Sequence, residues 1–91
     1  MRVIEARSFR NTVKRLHANQ KQALDEAVRT VMGNPALGDL KAGDLAGLRV
    51  YKFRMVDQLT LLAYRYDGKA DTLALEALGP HENFYRNLKV H

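Results

Sequence analysis

The stretch Leu48–Lys89, LRVYKFRMVDQLTLLAYRYDGKADTLALEALGPHENFYRNLK, decides the fold. Leu48 to Met55 alternates at a period of two. Leu48, Val50, Lys52 and Arg54 share one side; Arg49, Tyr51, Phe53 and Met55 share the other. The first side therefore begins apolar and ends cationic. Val56-Asp57-Gln58 reads as a turn. Leu59 to Tyr66 is the most apolar segment, so its strand is expected at the centre of the sheet. Asp67-Gly68-Lys69 has hairpin-turn chemistry. Thr72 to Leu78 is the last strand, with Leu73, Leu75 and Ala77 expected inward. Gly79-Pro80 is expected to open a short final helix, because proline is tolerated in a first turn. Phe84 and Leu88 would dock that helix on the sheet.

Upstream, the pattern changes to helical. Arg2 to Ala6 alternates weakly and reads as a short first strand. Ser8 is expected to cap a helix starting at Phe9. Phe9, Val13 and Leu16 lie on one face at i, i+4, i+7 spacing, which leaves Arg10, Lys14 and Arg15 in water. His17-Ala18-Asn19 breaks this helix, and Asn19 with Gln22 reads as the capping box of a second. Ala23, Leu24, Ala27, Val28 and Val31 form its apolar stripe. Gly33-Asn34-Pro35 ends it, with glycine or asparagine taking a left-handed turn. Residues 35–47 read as a glycine-rich loop. The expectation is one α+β domain over 1–91: an antiparallel-dominated four-stranded sheet, an N-terminal helical hairpin covering it, and a short C-terminal helix.

Composition narrows the function classes. A chain of 91 residues with 46% hydrophobic content is one small globular domain rather than a disordered segment. The absence of cysteine excludes disulfides and thiolate metal sites. No apolar run approaches the roughly 20 residues of a membrane span, and MRVIEARSF lacks a signal-peptide core, so the expected location is cytoplasmic with no membrane partner. A net charge of +5 favours an anionic partner, nucleic acid first and an acidic protein second.

A few residues stand out as carriers of chemistry. Lys52 and Arg54, two apart on a strand, point the same way and suit a phosphate clamp; the ordinary alternative is a solvated strand end. His81 and Tyr85 are spaced i, i+4, one face of the expected last helix. An imidazole ordinarily titrates near pH ~6.5 and so exchanges protons at neutral pH. A neighbouring tyrosine can stack on an unpaired base. The bland alternative is a locally bonded histidine and a core aromatic. Arg49, Arg65 and Arg86 extend the cationic surface as candidate RNA-binding residues. Asp57, at a strand start, has a turn role as its ordinary explanation. No histidine spacing suggests a metal site, and no phosphate-cradling glycine loop or nucleophile elbow is present, so no cofactor or metal is expected.

YKFR followed by LLAYRYD, then LALEALGPHENFY, resembles the RelE/ParE superfamily of toxins from bacterial type II toxin–antitoxin systems. The resemblance covers most of the chain and is nearest the YafQ-like branch, which has an aspartate before an LLIYR-like strand and a closing glycine followed by HxxxF or HxxxY. It implies a RelE-like fold. It also implies a ribosome-dependent mRNA endonuclease that inhibits translation. In such an enzyme the substrate's 2′-hydroxyl attacks, leaving a 2′,3′-cyclic phosphate. Carried over by motif, Lys52 and Arg54 would hold the scissile phosphate, His81 would be general acid or base, Tyr85 would position a base, and Asp57 would match the aspartate before the strand. The implied partners are a cognate antitoxin, mRNA in the ribosomal A site and ribosomal RNA, with DNA reached only through the antitoxin. The chain departs from the pattern twice. The YafQ-like branch's histidine on the second strand is Lys52 here, and the RelE branch's arginine on the next strand falls at Thr60 or Leu61. A ParE-type inhibitor of DNA gyrase, with the same fold and no nuclease, is the alternative; GPHENFY argues against it.

Overall fold

The computed structural model describes residues 1–81. They form β1 (Arg2–Glu5), α1 (Arg7–Val13), α2 (Ala18–Gly33), β2 (Asp39–Leu40), a 3-10 turn at Gly43–Leu45, β3 (Arg49–Met55), β4 (Gln58–Asp67) and β5 (Thr72–Pro80). The five strands make one sheet in the order β1-β5-β4-β3-β2. All neighbours are antiparallel except β1 and β5, which run parallel. The α+β class holds, with one strand more than expected: two residues of the glycine-rich loop pair with Val50 and Arg49 as β2. The expected final helix lies outside the described residues, as do Tyr85, Arg86, Phe84 and Leu88.

The apolar β4 is central, as its composition implies. Leu61, Leu62, Ala63 and Tyr64 are all buried in succession, because both faces of this strand are covered. On one face lie α1 and α2: Phe9, Leu24 and Val31 pack with Leu62, Tyr64, Leu73, Leu75 and Leu78. On the other, Leu48, Val50, Leu61 and Ala63 form a smaller cluster beneath Leu45. At about 25 cal/mol per Å² of apolar surface, each large buried side chain contributes roughly 1.5–3 kcal/mol, so the helix-side cluster dominates stability.

Several local expectations are corrected, each by a competing interaction. The first helix starts at Arg7, with Ala6 rather than Ser8 as its cap. The Ser8 hydroxyl instead donates to the Glu76 carbonyl at 2.8 Å and ties α1 to β5. Before α2, the capping pair is His17 with Gln20, whose side chain accepts the His17 amide at 2.7 Å, rather than Asn19 with Gln22. The helix stops without a left-handed residue: Asn34 has φ −153°, and Pro35 alone ends the run. In the β4–β5 connection the left-handed residue is Asp71 (φ 48°), while the Asp67 carboxylate accepts the amides of Lys69 and Ala70.

Two further differences bear on the site. Gly79 and Pro80 are the last residues of β5 rather than the start of a helix, and Pro80 pairs with Thr60. Within β5, Ala77 faces away from the helices. Ala63 pairs with Ala77 and Tyr64 with Leu75, which leaves Glu76 as the extra residue of a β-bulge. Up to Leu75 the odd-numbered residues face the helices; after the bulge the even-numbered ones do, beginning with Leu78.

Candidate functional site

The register gathers three of the expected site residues at one end of the sheet. Lys52 pairs with Leu61, which pairs with Gly79. Arg54 pairs with Leu59, and the Leu59 carbonyl accepts the His81 amide at 3.2 Å, one step beyond the Thr60–Pro80 pair. These are adjacent rows on one face. Strand spacing near 4.8 Å and a rise near 3.4 Å put His81 about 10 Å from Arg54 across the sheet, with Lys52 about 7 Å further along β3. Lys52, Arg54 and His81 are exposed, whereas Leu61 beneath them is buried. The floor between the cations is thus apolar, and glycine at position 79 adds no side chain to it.

The bulge at Glu76 sets this geometry. Unbroken alternation from Leu73 would place position 81 in register with the helix-covered face. The extra residue moves it to the face of Lys52 and Arg54. A cleft of about 420 Å³ opens at this end, lined by Asp57, Gln58, Leu59, Pro80 and His81. Asp57 contributes to its wall, and its carbonyl accepts the Arg54 guanidinium in a long contact of 3.5 Å. Gln58, Leu59 and Pro80 are lining residues that the sequence did not single out. The run of β5 on to Pro80, beside the start of β4, is what brings them together.

The turn that closes β3 and β4 has two residues, since Met55 pairs with Gln58. Its first residue, Val56, has φ 60° and is exposed. A β-branched side chain is strongly disfavoured there, so the tip of the hairpin beside the cleft stores strain. Arg54 also borders a groove of about 180 Å³ at the sheet edge, lined by Ala23, Glu26, Ala27, Thr30, Tyr51 and Phe53. The Tyr51 and Phe53 rings stack there with centroids 6.1 Å apart.

Of the candidate RNA-binding arginines, the two that lie among the described residues, Arg49 and Arg65, are not brought to the cleft. Arg65 lies six residues along β4 from Leu59, about 20 Å away. It donates to the Ala46 carbonyl at 3.0 Å and faces Glu76 at 3.8 Å, pinning the loop that holds Leu45 over the second face. Arg49 donates to the carbonyls of Gly38 (2.9 Å) and Ala36 (3.2 Å). The buried Tyr64 hydroxyl completes that anchor, accepting the Gly38 amide at 2.9 Å and donating to the Pro35 carbonyl at 2.7 Å. Burial pushes the Tyr64 phenol above its ordinary range, against the opposing pull of the Gly38 amide and Arg49. At the opposite end, the Tyr66 hydroxyl donates to Asp71 at 2.8 Å, and the N-terminal ammonium lies 3.4 Å from the same carboxylate. The Tyr66 bond, then the ammonium, holds Asp71 below the usual carboxylate range, while the bond to Asp71 and, after it, burial raise the Tyr66 phenol. Among the described residues, no group of three His, Asp or Glu stands close enough to hold a metal, and no helix is long and apolar enough to cross a membrane.

With this geometry in hand, comparisons place the chain among known proteins. A family model described as the ParE-like toxin of type II bacterial toxin–antitoxin systems matches residues 3–89. No curated protein matches. Among solved structures, the fold is similar to the intact Escherichia coli RelBE toxin–antitoxin complex. The identity is 14%, the match covers 89% of this chain and 96% of that one, and the TM-score is 0.72. A YoeB/ParE toxin from Agrobacterium tumefaciens is 20% identical over 89% of this chain and 99% of its own, with a TM-score of 0.69. The RelBE2 toxin–antitoxin complex of Mycobacterium tuberculosis is 18% identical over 88% and 96%, with a TM-score of 0.67.

Proposed function

From the premise that this chain belongs to the ParE-like toxins of type II bacterial toxin–antitoxin systems, we propose that it is a ribosome-dependent mRNA endonuclease acting in the cytoplasm. The observation that carries this reading is the juxtaposition of Lys52, Arg54 and His81 on one face at one end of the sheet, beside a cleft. Two cations about 7 Å apart suit the non-bridging oxygens of one phosphodiester. They gain most when that phosphate takes on additional charge in the transition state.

In the reaction, the 2′-oxygen of the message attacks the neighbouring phosphorus. The bond from phosphorus to the 5′-oxygen of the next nucleotide breaks, leaving a 2′,3′-cyclic phosphate and a 5′-hydroxyl. One proton leaves the attacking 2′-hydroxyl and one is taken up by the departing 5′-oxygen; His81 carries one of these two transfers and solvent water the other. Tyr85 and Arg86, which follow His81 in the chain, are assigned to stacking and backbone contact with the substrate. Asp57 is assigned a lesser role, through the turn that carries it. Arg49 and Arg65 are assigned to holding loops. The reaction needs no cofactor. The folded partner that silences the toxin is a cognate antitoxin; structural neighbours of this chain are toxin–antitoxin complexes.

The test is 5′-end mapping of a reporter message in a translating extract, with wild-type protein and His81→Ala in parallel. Cuts at in-frame positions that require ribosomes, and fall by about 10²–10⁴ in the variant, are expected. A message left intact by the wild-type protein overturns the reading. The ParE-like description of the matching family favours a second reading, a toxin that inhibits DNA gyrase without cutting nucleic acid. Gyrase-linked DNA breaks with an intact message would establish it.

A further inference from the structure

Among the described residues, only Val56 and Asp71 have positive φ without being glycine. Aspartate tolerates the left-handed region; a β-branched valine does not. Val56 is the first residue of the two-residue β3–β4 turn, with φ 60°, and Asp57 after it is not left-handed. Glycine is the residue that ordinarily takes this turn position. Valine there forgoes stability that glycine would supply, and strain of this kind clusters where it serves a site.

The turn borders the site already described. Val56 follows two residues after Arg54, roughly 7 Å further along the chain at strand rise. Asp57, the next residue, lines the cleft of about 420 Å³ together with His81. The Arg54 guanidinium donates to the Asp57 carbonyl, which ties the tip to the clamp. The valine is 43% exposed. The other exposed large apolar side chains among the described residues lie elsewhere: Met1, Val3 and Ile4 at β1, beside the first half of β5, Met32 near the end of α2, and Leu37 and Leu40 at and just before β2. Val56 is therefore the apolar side chain presented at the end of the sheet that carries Lys52, Arg54 and His81.

The chemistry of the cleavage gives such a side chain a task. Attack requires the 2′-oxygen, the phosphorus and the departing 5′-oxygen to come nearly into line. A stacked strand holds the 2′-oxygen to one side of that line, so the nucleotides flanking the bond have to be parted. We propose that Val56 is a substrate-positioning wedge, held out by the strained turn, which inserts between the bases flanking the scissile bond and swings the 2′-oxygen into line. The proposal rests on the endonuclease reading above and deepens it. Apolar side chains inserted between base steps unstack them and kink the backbone in this way. A protein partner is the poorer occupant, because one valine flanked by Arg54 and Asp57 makes too small an apolar anchor for a protein interface. Valine is stiff at its first side-chain torsion, so a strained turn aims it at little entropic cost. Glycine would relax the turn and leave nothing to insert.

The test uses the intact protein and ribosomes stalled with an empty A site. Wild type is compared with Val56→Gly, Val56→Asn, which tolerates φ 60° but is polar, and Val56→Leu, which restores an apolar wedge. One assay measures single-turnover message cleavage. The other uses messages with 2′-deoxy sugars throughout the A-site codon, which block cutting, and 2-aminopurine at one codon position in each message; this base brightens when unstacked. Val56→Gly and Val56→Asn are expected to cut about 10- to 100-fold more slowly at saturating protein, with half-saturation moved by less than about threefold. Both should lose the brightening that wild type produces at one position, and Val56→Leu should recover rate and brightening together. Wild-type rates in Val56→Gly or Val56→Asn overturn the wedge and leave the endonuclease reading standing. So does a slow Val56→Gly that still brightens the probe, since the rate then depends on the turn and not on parting the bases. A wild-type protein that cuts no message yet brightens the probe through Val56 refutes the endonuclease reading alone; one that does neither refutes both.

Discussion

Replacing Tyr64 with phenylalanine removes one oxygen atom and tests how the loop before β2 is held. The Tyr64 ring is fully buried, and its hydroxyl bridges the Gly38 amide and the Pro35 carbonyl at 2.9 and 2.7 Å. Phenylalanine keeps the ring packing but leaves a donor and an acceptor without a partner. An unsatisfied buried group costs about 1–3 kcal/mol, and the Pro35 carbonyl is only partly buried, so the expected loss is about 2–4 kcal/mol. For a domain of this size that lowers Tm by roughly 10–20 °C. A second signature comes from titration. Burial raises the Tyr64 pKa, so folding favours the neutral phenol. That stabilisation is complete below the unfolded value near ~10 and is lost as pH rises through the folded value. Wild-type stability should fall above pH ~10; the phenylalanine variant should lose the Tyr64 component and keep the one from Tyr66. Urea unfolding followed by circular dichroism at neutral and alkaline pH measures both. A loss under about 0.5 kcal/mol, or an alkaline profile identical to wild type, would refute the bridge as a stabilising element.

Val56→Gly relieves a left-handed β-branched residue; against a cost of about 1–2 kcal/mol for that conformation and a glycine entropy cost of about 0.5–1, a gain of up to about 1 kcal/mol is expected in urea unfolding. A destabilised variant would show that the turn is not strained. Arg65→Ala and Arg54→Ala should separate stability from chemistry. The first loses about 1 kcal/mol of stability and keeps message cleavage per folded molecule, while the second keeps stability and loses cleavage by about 10²–10³. The reverse split would move the site to Arg65. Asp71→Asn keeps a residue type that tolerates φ 48° and removes only the charge. Because the folded Asp71 pKa is depressed, its contribution is present above the unfolded value near ~4 and lost as pH falls through the folded one. Wild-type Tm should therefore decline in that acid range more steeply than the variant's, and parallel curves would contradict the assignment.

The parts of the fold that were legible in the sequence are those governed by long periodic patterns. The β3 alternation, the central β4 and the α2 stripe follow from burying one face of each element, and no local contact competes with that. What escaped was decided by single side chains with two possible partners. Ser8 looks like a cap, yet its hydroxyl reaches a carbonyl on β5; Asn19 looks like a cap, yet Gln20 reaches the His17 amide first. Composition offers no way to rank such choices, because each partner contributes a similar hydrogen bond of about 1 kcal/mol. Gly79-Pro80 misleads for a different reason. Proline lacks only its donor, so at the end of an antiparallel pair it continues a strand as readily as it opens a helix.

The site shows the same division. Lys52 and Arg54 could be placed together from their spacing alone, since nothing interrupts β3 between them. Joining them to His81 depends on a register that passes through β4 to β5, and β5 contains one residue more than its partner can match. Read without the bulge, the inward series Leu73, Leu75, Ala77 runs on to Gly79 and His81, which puts the histidine under the helices, away from both cations. With Glu76 as the extra residue, the same chain delivers Leu78 to the core and position 81 to the cationic face. Glu76 is also where Ser8 binds the strand from one side and Arg65 approaches from the other, so the bulge is held in place by both layers. A single unmatched residue, fixed by contacts that are remote in sequence, thus decides whether the clamp and the proton carrier meet.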